Sequence, residues 1–387
     1  MKAMSRRSGD APLSVAFHID QLWFSAPGGI GTYVRQLGAE LERSDQVVLT
    51  AFRSRWKHEA AGVPATTVPI VTTGMSARTA YLGWSVSRRP KLPHALDGCQ
   101  VVHATNPATI PPIRDGQSLV VTIHDLTFED EPDAFPATWL RLYRRGLDIA
   151  RKEAAIVLVP SEYVGGRVRE RGIAPDRLRV TPLAGMPVPV PAPTLPPEAV
   201  VQGLGINGPY LLSVGTFEPR KNQARLVRAY RRAVTDADLP HALVLAGHPG
   251  WRTDELDDAI AEGGRGRIVR LEGPGDLEID ALYRAADAAA YVSLSEGFGM
   301  PVLEAMSRGT PVVASSTTSI PEVAGDAALL VDPTDDAAIA QALTTVLTDA
   351  TVAGDLRRRG YDRAGRFTWE ATARVTLDAY RQAVEAR

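Results

Sequence analysis

Among the residues of this chain that could do chemistry, the densest set is Ser295-Glu296-Gly297-Phe298-Gly299-Met300-Pro301-Val302-Leu303-Glu304-Ala305-Met306. It follows an apolar run that reads as a buried strand. Pro301 suits the first turn of a helix running to Arg308, with Gly309 as its left-handed cap and Pro311 beyond. Gly297 and Gly299 then fall in the turn at a helix N-terminus, where free N–H groups and the helix dipole favour an anion such as phosphate. Glu296 lies before the turn and Glu304 about one turn inside, so both can face one pocket at the C-terminal edge of a sheet. A carboxylate repels phosphate but accepts well from sugar hydroxyls. The stretch therefore suits a ligand with phosphate in the middle and polyols on either side, the layout of a nucleotide sugar. A tight turn followed by a solvated Glu304 needs fewer of these residues than are present.

Three further stretches carry chemistry. Gly215-Thr216-Phe217-Glu218-Pro219-Arg220-Lys221-Asn222 ends one strand and opens a helix. Arg220 and Lys221 there oppose the helix dipole, which a solvated helix start would avoid but a bound diphosphate would reward. Pro27-Gly28-Gly29-Ile30-Gly31-Thr32-Tyr33 follows the first strand, and its glycines allow close backbone approach of a ligand. It lacks the third glycine of the dinucleotide fingerprint, and Phe52 and Arg53 stand where that motif needs an acid. Thr122-Ile123-His124-Asp125-Leu126 closes an apolar strand. His124 is either a structural histidine satisfied by a carbonyl or a site residue; Asp125 either orients it or caps the next turn.

These stretches need a scaffold, and the periodicity supplies one. Short β-branched runs at 13–19, 47–52, 100–104, 119–124, 155–160 and 178–183 alternate with helical patterns. The alternation restarts at 210–215, 242–247, 268–272, 288–294, 311–315 and 328–331. The runs are continuously apolar, as in parallel sheets covered on both faces. The fold expected is α/β, with two doubly wound Rossmann-like domains and a ligand cleft between them. Residues 1–185 form the first domain, 186–209 a Pro-rich linker, 210–366 the second domain, and 367–387 a terminal helix crossing back to the first.

Composition excludes several classes. The 387 residues carry 43 Lys+Arg and 45 Asp+Glu, a net charge of −2, so no global field draws nucleic acid. The first half is mildly basic and the second mildly acidic. A single cysteine, Cys99, fits a reducing cytoplasm, and Ser8-Gly9-Asp10 stands where a signal peptide would be apolar. Neither secretion nor a membrane span is expected. His18, His103 and His248 lie near strand ends, but no H-x-x-H spacing offers a metal site. Ser319-Ile320-Pro321-Glu322 reads as a capping box, making Glu322 structural. Residues 77–92, with Tyr81, Trp84, Arg88, Arg89 and Lys91, mix aromatic and basic side chains, as do Trp139, Arg141, Tyr143, Arg144 and Arg145. Either stretch is an ordinary amphipathic helix or a surface for a membrane or an acceptor.

The sequence resembles the retaining glycosyltransferases of family 4, whose signature E-G-F-G-[LM]-P-x-x-E-A-M is matched throughout residues 296–306. The match continues in Gly309-Thr310-Pro311-Val312-Val313-Ala314-Ser315 and Pro321-Glu322-Val323-Ala324-Gly325-Asp326-Ala327. The resemblance implies a GT-B fold and transfer of a hexose from a nucleoside-diphosphate sugar to a hydroxyl acceptor, a glycan, glycolipid or small molecule. It makes Arg220 and Lys221 the diphosphate pair and places His124 beside the reacting sugar. Glu304 holds the ribose and Glu296 the sugar hydroxyls. Gly29, Gly31, Gly297, Phe298 and Gly299 line the donor. No carboxylate nucleophile is evident, so the resemblance implies front-face attack with the leaving phosphate oxygen taking the proton. No cofactor or metal is implied, and the H-D-L and E-P-R-K stretches favour GDP-mannose. The rivals are a nucleotide-sugar epimerase of the same fold and a regulator that binds the nucleotide sugar without turnover.

Overall fold

In the computed structural model the chain is described for residues 11–24, 27–57, 68–188 and 195–387. It divides into two compact units. The first holds residues 1–160, 165–181 and 369–387; the second holds 161–164 and 182–368.

The first unit carries seven parallel strands: β1 (Leu13–His18), β2 (Val47–Arg55), β3 (Ile70–Ser76), β4 (Val101–Ala104), β5 (Ser118–Thr122), β6 (Ile156–Val159) and β7 (Leu178–Val180), in the order 3-2-1-4-5-6-7. In the second unit β8 (Tyr210–Val214), β9 (Ala242–Gly247), β10 (Ile268–Glu272), β11 (Ala288–Tyr291), β12 (Val312–Ser315) and β13 (Leu329–Val331) take the order 10-9-8-11-12-13. Each sheet therefore grows outward in both directions from its first strand. The places where the order reverses, β1 beside β4 and β8 beside β11, open crevices at the strands' C-terminal ends. In the first unit β1 and β2 run in register from Leu13 opposite Val47 to His18 opposite Phe52.

Burial follows the apolar runs. Helix Gly28–Arg43 buries Tyr33, Val34, Leu37 and Leu41, and helix Gln223–Asp236 buries Leu226, Val227, Tyr230 and Val234, each a stripe of helical spacing. The C-terminal helix Trp369–Glu385 lies within the first unit, with Leu377, Tyr380 and Ala383 buried and Ser118 Oγ donating to the Ala383 carbonyl at 2.6 Å.

The structure departs from the sequence expectation in three respects. Strand β3 was not expected, because Gly74 and the preceding Pro69 break a run that its β-branched residues would otherwise mark. Strands β5, β7 and β11 stop two or three residues before the apolar runs do; Ile123, Leu183 and Val292 stay buried without continuing the sheet. An apolar run reports burial, and burial outlasts strand pairing at the edge where the loops leave. Within the stretch read as a linker, Pro197–Gly203 is a helix that buries Val201, and Ile206 follows in the core. Pro189, Pro191 and Pro193, and the N-terminal segment to Asp10, lie outside the described residues.

Candidate active site

In the second unit the chain leaves β8, forms a single tight turn at Pro219–Lys221, and enters helix Gln223–Asp236 through Asn222 in the left-handed conformation, φ 58°. Asn is among the few residues that accept this conformation readily. The Asn222 amide donates to the carbonyls of Val292 and Pro333 at 3.0 and 2.7 Å, tying this loop to the one leaving β11. Arg220 and Lys221 are thereby delivered to the crevice between β8 and β11.

There they meet Glu296. Arg220 Nη1 lies 2.8 Å from one carboxylate oxygen, and Lys221 Nζ lies 2.7 Å from the other. Tyr291, the last residue of β11, donates its hydroxyl to that second oxygen at 2.7 Å and accepts from Lys221 at 2.8 Å. Glu218 takes the far side of the Arg220 guanidinium at 2.6 Å. Burial would raise the Glu296 pKa, but Arg220 and Lys221 beside it hold it down at about 2. Burial and the neighbouring Arg220 charge lower the Lys221 pKa despite Glu296 and Glu218. Two cations and two carboxylates thus form one nearly neutral, mostly buried cluster.

Gly299 begins the following helix, Met300–Ser307, at φ 101°. A Cβ there would come 2.4 Å from Ile320 Cδ1, so only glycine fits. No side chain caps this N-terminus among the described residues; Pro301 carries no N–H and the Val302 N–H donates to the Gly299 carbonyl at 3.1 Å, so the turn offers an anion the positive end of the helix dipole and the Met300 amide. The ring of Phe298 is buried edge-on against Phe367, so Phe298 offers the loop its backbone. Ser161 Oγ donates to the Gly297 carbonyl at 2.7 Å, and Ser319 Oγ to the carbonyls of Glu296 and Phe298 at 2.9 and 3.0 Å.

Glu304 has the opposite electrostatic setting. It accepts the Met186 N–H at 3.2 Å and the Tyr283 hydroxyl at 3.3 Å, and burial raises its pKa against the pull of Arg308 and these donors. Gly185 passes so close that a Cβ would sit 3.1 Å from Glu304 Cγ and from its backbone nitrogen. Arg308 donates to the carbonyls of Met186 and Pro187 at 3.0 and 3.2 Å and pairs with the buried Asp280 at 2.9 Å.

The capping box expected at 319–322 does not form. Ser319 is engaged with the Glu296 loop, and Glu322 instead accepts from the Glu162 N–H, at 2.9 and 3.0 Å to its two oxygens.

In the first unit the glycine loop, His124 and the ends of β1 and β4 lie at the C-terminal edge of the sheet. Helix Gly28–Arg43 starts in this loop; Gly29 is exposed, while a Cβ on the buried Gly31 would come 2.4 Å from Pro27 Cβ. His124 lies 3.1 Å through Nε2 from the Thr105 carbonyl. A carbonyl only accepts, so Nε2 carries the proton and Nδ1 is left as an acceptor. Burial drives the imidazole pKa down to about 4, so it is neutral near pH 7. Asp125 caps the next turn, accepting the Thr127 N–H at 3.0 Å. The remaining strand-end histidines differ: His18 sits 3.1 Å from the buried Asp20, and His103 is enclosed between Tyr380 and Thr122. Tyr81 and Trp84 are core residues rather than surface aromatics, and Arg88 is spent on Glu153 and on backbone carbonyls.

The sequence reading missed Tyr291, Asn222, Tyr283 and Arg308. Tyr291 had a readable signal, since a tyrosine at the end of an alanine-rich buried strand points at whatever occupies the strand's edge.

Two family models match the chain: one described as Glycosyltransferase Family 4 over residues 27–184, and one as Glycosyl transferases group 1 over residues 199–363. The chain is 35% identical over 267 residues to the O-antigen chain mannosyltransferase B of Escherichia coli, covering 68% of this chain and 70% of that one. It is 30% identical over 288 residues to the MMP alpha-(1->4)-mannosyltransferase of Mycolicibacterium hassiacum, covering 70% of this chain and 66% of that one. Among solved structures, the sucrose-phosphate synthase of Thermosynechococcus elongatus superposes with a TM-score of 0.75 at 22% identity, over 97% of this chain and 100% of that one.

Proposed function

The chain belongs to glycosyltransferase family 4 and is a retaining hexosyltransferase of the GT-B fold, and from that premise we propose that it moves mannose from GDP-mannose to a hydroxyl of a glycan acceptor. The observation that carries the donor class is the cluster at the β8/β11 crevice, where Arg220 and Lys221 converge on Glu296 beside the N-terminus of helix Met300–Ser307. Likeness to two mannosyltransferases supports the choice of sugar.

The residues then divide the ligand. Arg220, Lys221 and the Gly297–Gly299 turn take the diphosphate, Glu304 the ribose diol, and Glu296 the hexose hydroxyls. The family resemblance assigns Gly29 and Gly31 of the first unit to the donor and His124 to a sugar hydroxyl, whose hydrogen its Nδ1 would accept. The bond from the anomeric carbon to the leaving phosphate oxygen breaks while the acceptor oxygen bonds that carbon on the same face. The acceptor's proton passes to the departing phosphate oxygen. Arg220 and Lys221 stabilise the negative charge that grows there, the stage at which fixed positive charge is worth most.

No helix among the described residues is long and apolar enough to cross a membrane. A cytoplasmic enzyme resting peripherally on the inner face of a membrane would use helix Ala77–Val86, which exposes Leu82 and Val86 beside Arg78, Arg89 and Lys91. Co-sedimentation with anionic but not neutral vesicles tests that contact.

For the reaction itself, the protein is incubated with GDP-mannose, other nucleotide sugars and a mannose-terminated glycan. Mannosyl product with retained configuration, formed only with acceptor, is expected. An altered sugar released without acceptor identifies an epimerase, and binding without product a regulator. A thermal-shift panel adds the base preference, since ligand at 100 times its dissociation constant contributes about 2.7 kcal/mol.

A further inference from the structure

The geometry points to Tyr33 as a positioning residue for His124, held by a buried hydrogen-bonded chain through Thr122 and His103 to Tyr380 of the C-terminal helix. The inference rests on the proposal that His124 acts at the reacting sugar.

Tyr33 stands two residues beyond Gly31, so it belongs to the helix that the glycine loop begins. Its ring meets the imidazole of His124 edge to face, centroids 4.7 Å apart at 78°. Its hydroxyl lies 2.8 Å from Thr122 Oγ1, and Thr122 ends β5 two residues before His124. One side chain thus touches the glycine-loop helix, the strand that delivers His124, and the imidazole itself. With Nε2 fixed on Thr105, contact with Tyr33 removes the remaining rotation of the ring and sets where Nδ1 points.

Thr122 is held in turn. Its Oγ1 lies 2.8 Å from His103 Nε2, and His103 Nδ1 lies 2.7 Å from the Tyr380 hydroxyl. Tyr33, Thr122, His103 and Tyr380 are all at most 3% exposed. Burial keeps His103 neutral, with its pKa near 3, so its two nitrogens are one donor and one acceptor. The hydrogen bonds on the two sides of the imidazole must therefore run in the same direction, so breaking one disturbs the other, and Thr122 Oγ1, which both donates and accepts, links Tyr33 to that pair. Such a buried polar chain is costly unless every member is paired, and an apolar filling would stabilise the fold as well. The titratable groups facing His124 are Asp125, His103 and Tyr33 itself.

The test uses full-length Tyr380→Phe, Thr122→Val, Tyr33→Leu and His124→Gln, read by turnover, nucleoside-diphosphate affinity, melting temperature and the histidine ring proton titrations. Tyr380→Phe and Thr122→Val should each lower kcat about 10- to 100-fold, the scale of a misplaced group, at unchanged diphosphate affinity. Their double variant should lose less than the two combined, because they interrupt one chain. Tyr33→Leu should let water reach His124 and move its titration up toward the ordinary histidine range. If Tyr380→Phe and Thr122→Val lower only the melting temperature, leave kcat intact, and add independently, the chain is structural and the inference fails while the His124 proposal stands. If His124→Gln turns over at the parent rate, the His124 proposal fails first and the inference with it.

Discussion

Lys221 and Glu296 form a 2.7 Å ion pair in which Tyr291 binds the same carboxylate oxygen, so the residue proposed for the diphosphate and the residue proposed for the sugar are in direct contact. Under the proposed assignment, donor binding at this site is an exchange of partners, in which a diphosphate would take over the cations while sugar hydroxyls replace them on the carboxylate.

Lys221→Ala should lower kcat far more than it weakens donor binding, because charge on the diphosphate grows as the glycosidic bond breaks. A loss on the order of 10²–10³ in kcat is expected for one such group. Steady-state kinetics over donor concentration check this; a change confined to KM would mean equal binding of ground and transition states.

Glu296→Gln should lose most of its kcat yet bind free nucleoside diphosphate at least as well as the parent, since Arg220 and Lys221 lose their competing anion. The depressed Glu296 pKa gives the sign of the stability effect. Its carboxylate stabilises the fold above pH ~4.5, and that contribution disappears as the pH falls toward about 2. The variant should therefore melt lower than the parent at pH 7, and the gap should close in acid. Melting curves from pH 7 to 3 decide it.

Glu304→Gln should behave in the reverse manner. Its pKa is raised by burial, so the charged form works against the free fold as the pH rises through its titration. The variant should melt at or above the parent temperature near neutrality while its nucleoside-diphosphate affinity and donor KM worsen. Calorimetric titration with the diphosphate separates this from the Glu296 result.

Removing residues 367–387 should leave an insoluble or strongly destabilised protein, because it strips Leu377, Tyr380 and Ala383 from the first unit and takes from His103 Nδ1 its Tyr380 partner. Expression and a melting curve of the shortened chain suffice; an unchanged melting temperature would show an appendage.

Turnover should survive EDTA. Arg220, Lys221 and a helix N-terminus already supply the positive charge at the proposed phosphate site. Abolition by EDTA with recovery in Mg²⁺ or Mn²⁺ would contradict this.

The sequence made local relationships legible. Residues 296–306 could be placed on a turn and a helix because two glycines and Pro301 prescribe that geometry within a few residues, and helix Met300–Ser307 has it. Relationships across long separations were not legible. Ser319 and Glu322 satisfy the spacing of a capping box, but Glu322 finds the Glu162 amide 160 residues away, and Ser319 finds the Glu296 loop. His103 and Tyr380 are 277 residues apart, and nothing in either neighbourhood announces the other. The fold class was readable because apolar runs mark burial, whereas the strand ends were not, because burial continues into the loops that carry the chemistry.

Glu304 has two oxygens, and the Met186 N–H already occupies one of them, while Arg308 grips the carbonyls of Met186 and Pro187. A ribose arriving at that carboxylate must share it with the stretch of chain by which the second unit begins. Under the proposed assignment of Glu304 to the ribose, nucleotide occupancy should register at that single main-chain amide. Hydrogen–deuterium exchange at Met186 would then follow loading and product release from the main chain beside the proposed ribose ligand.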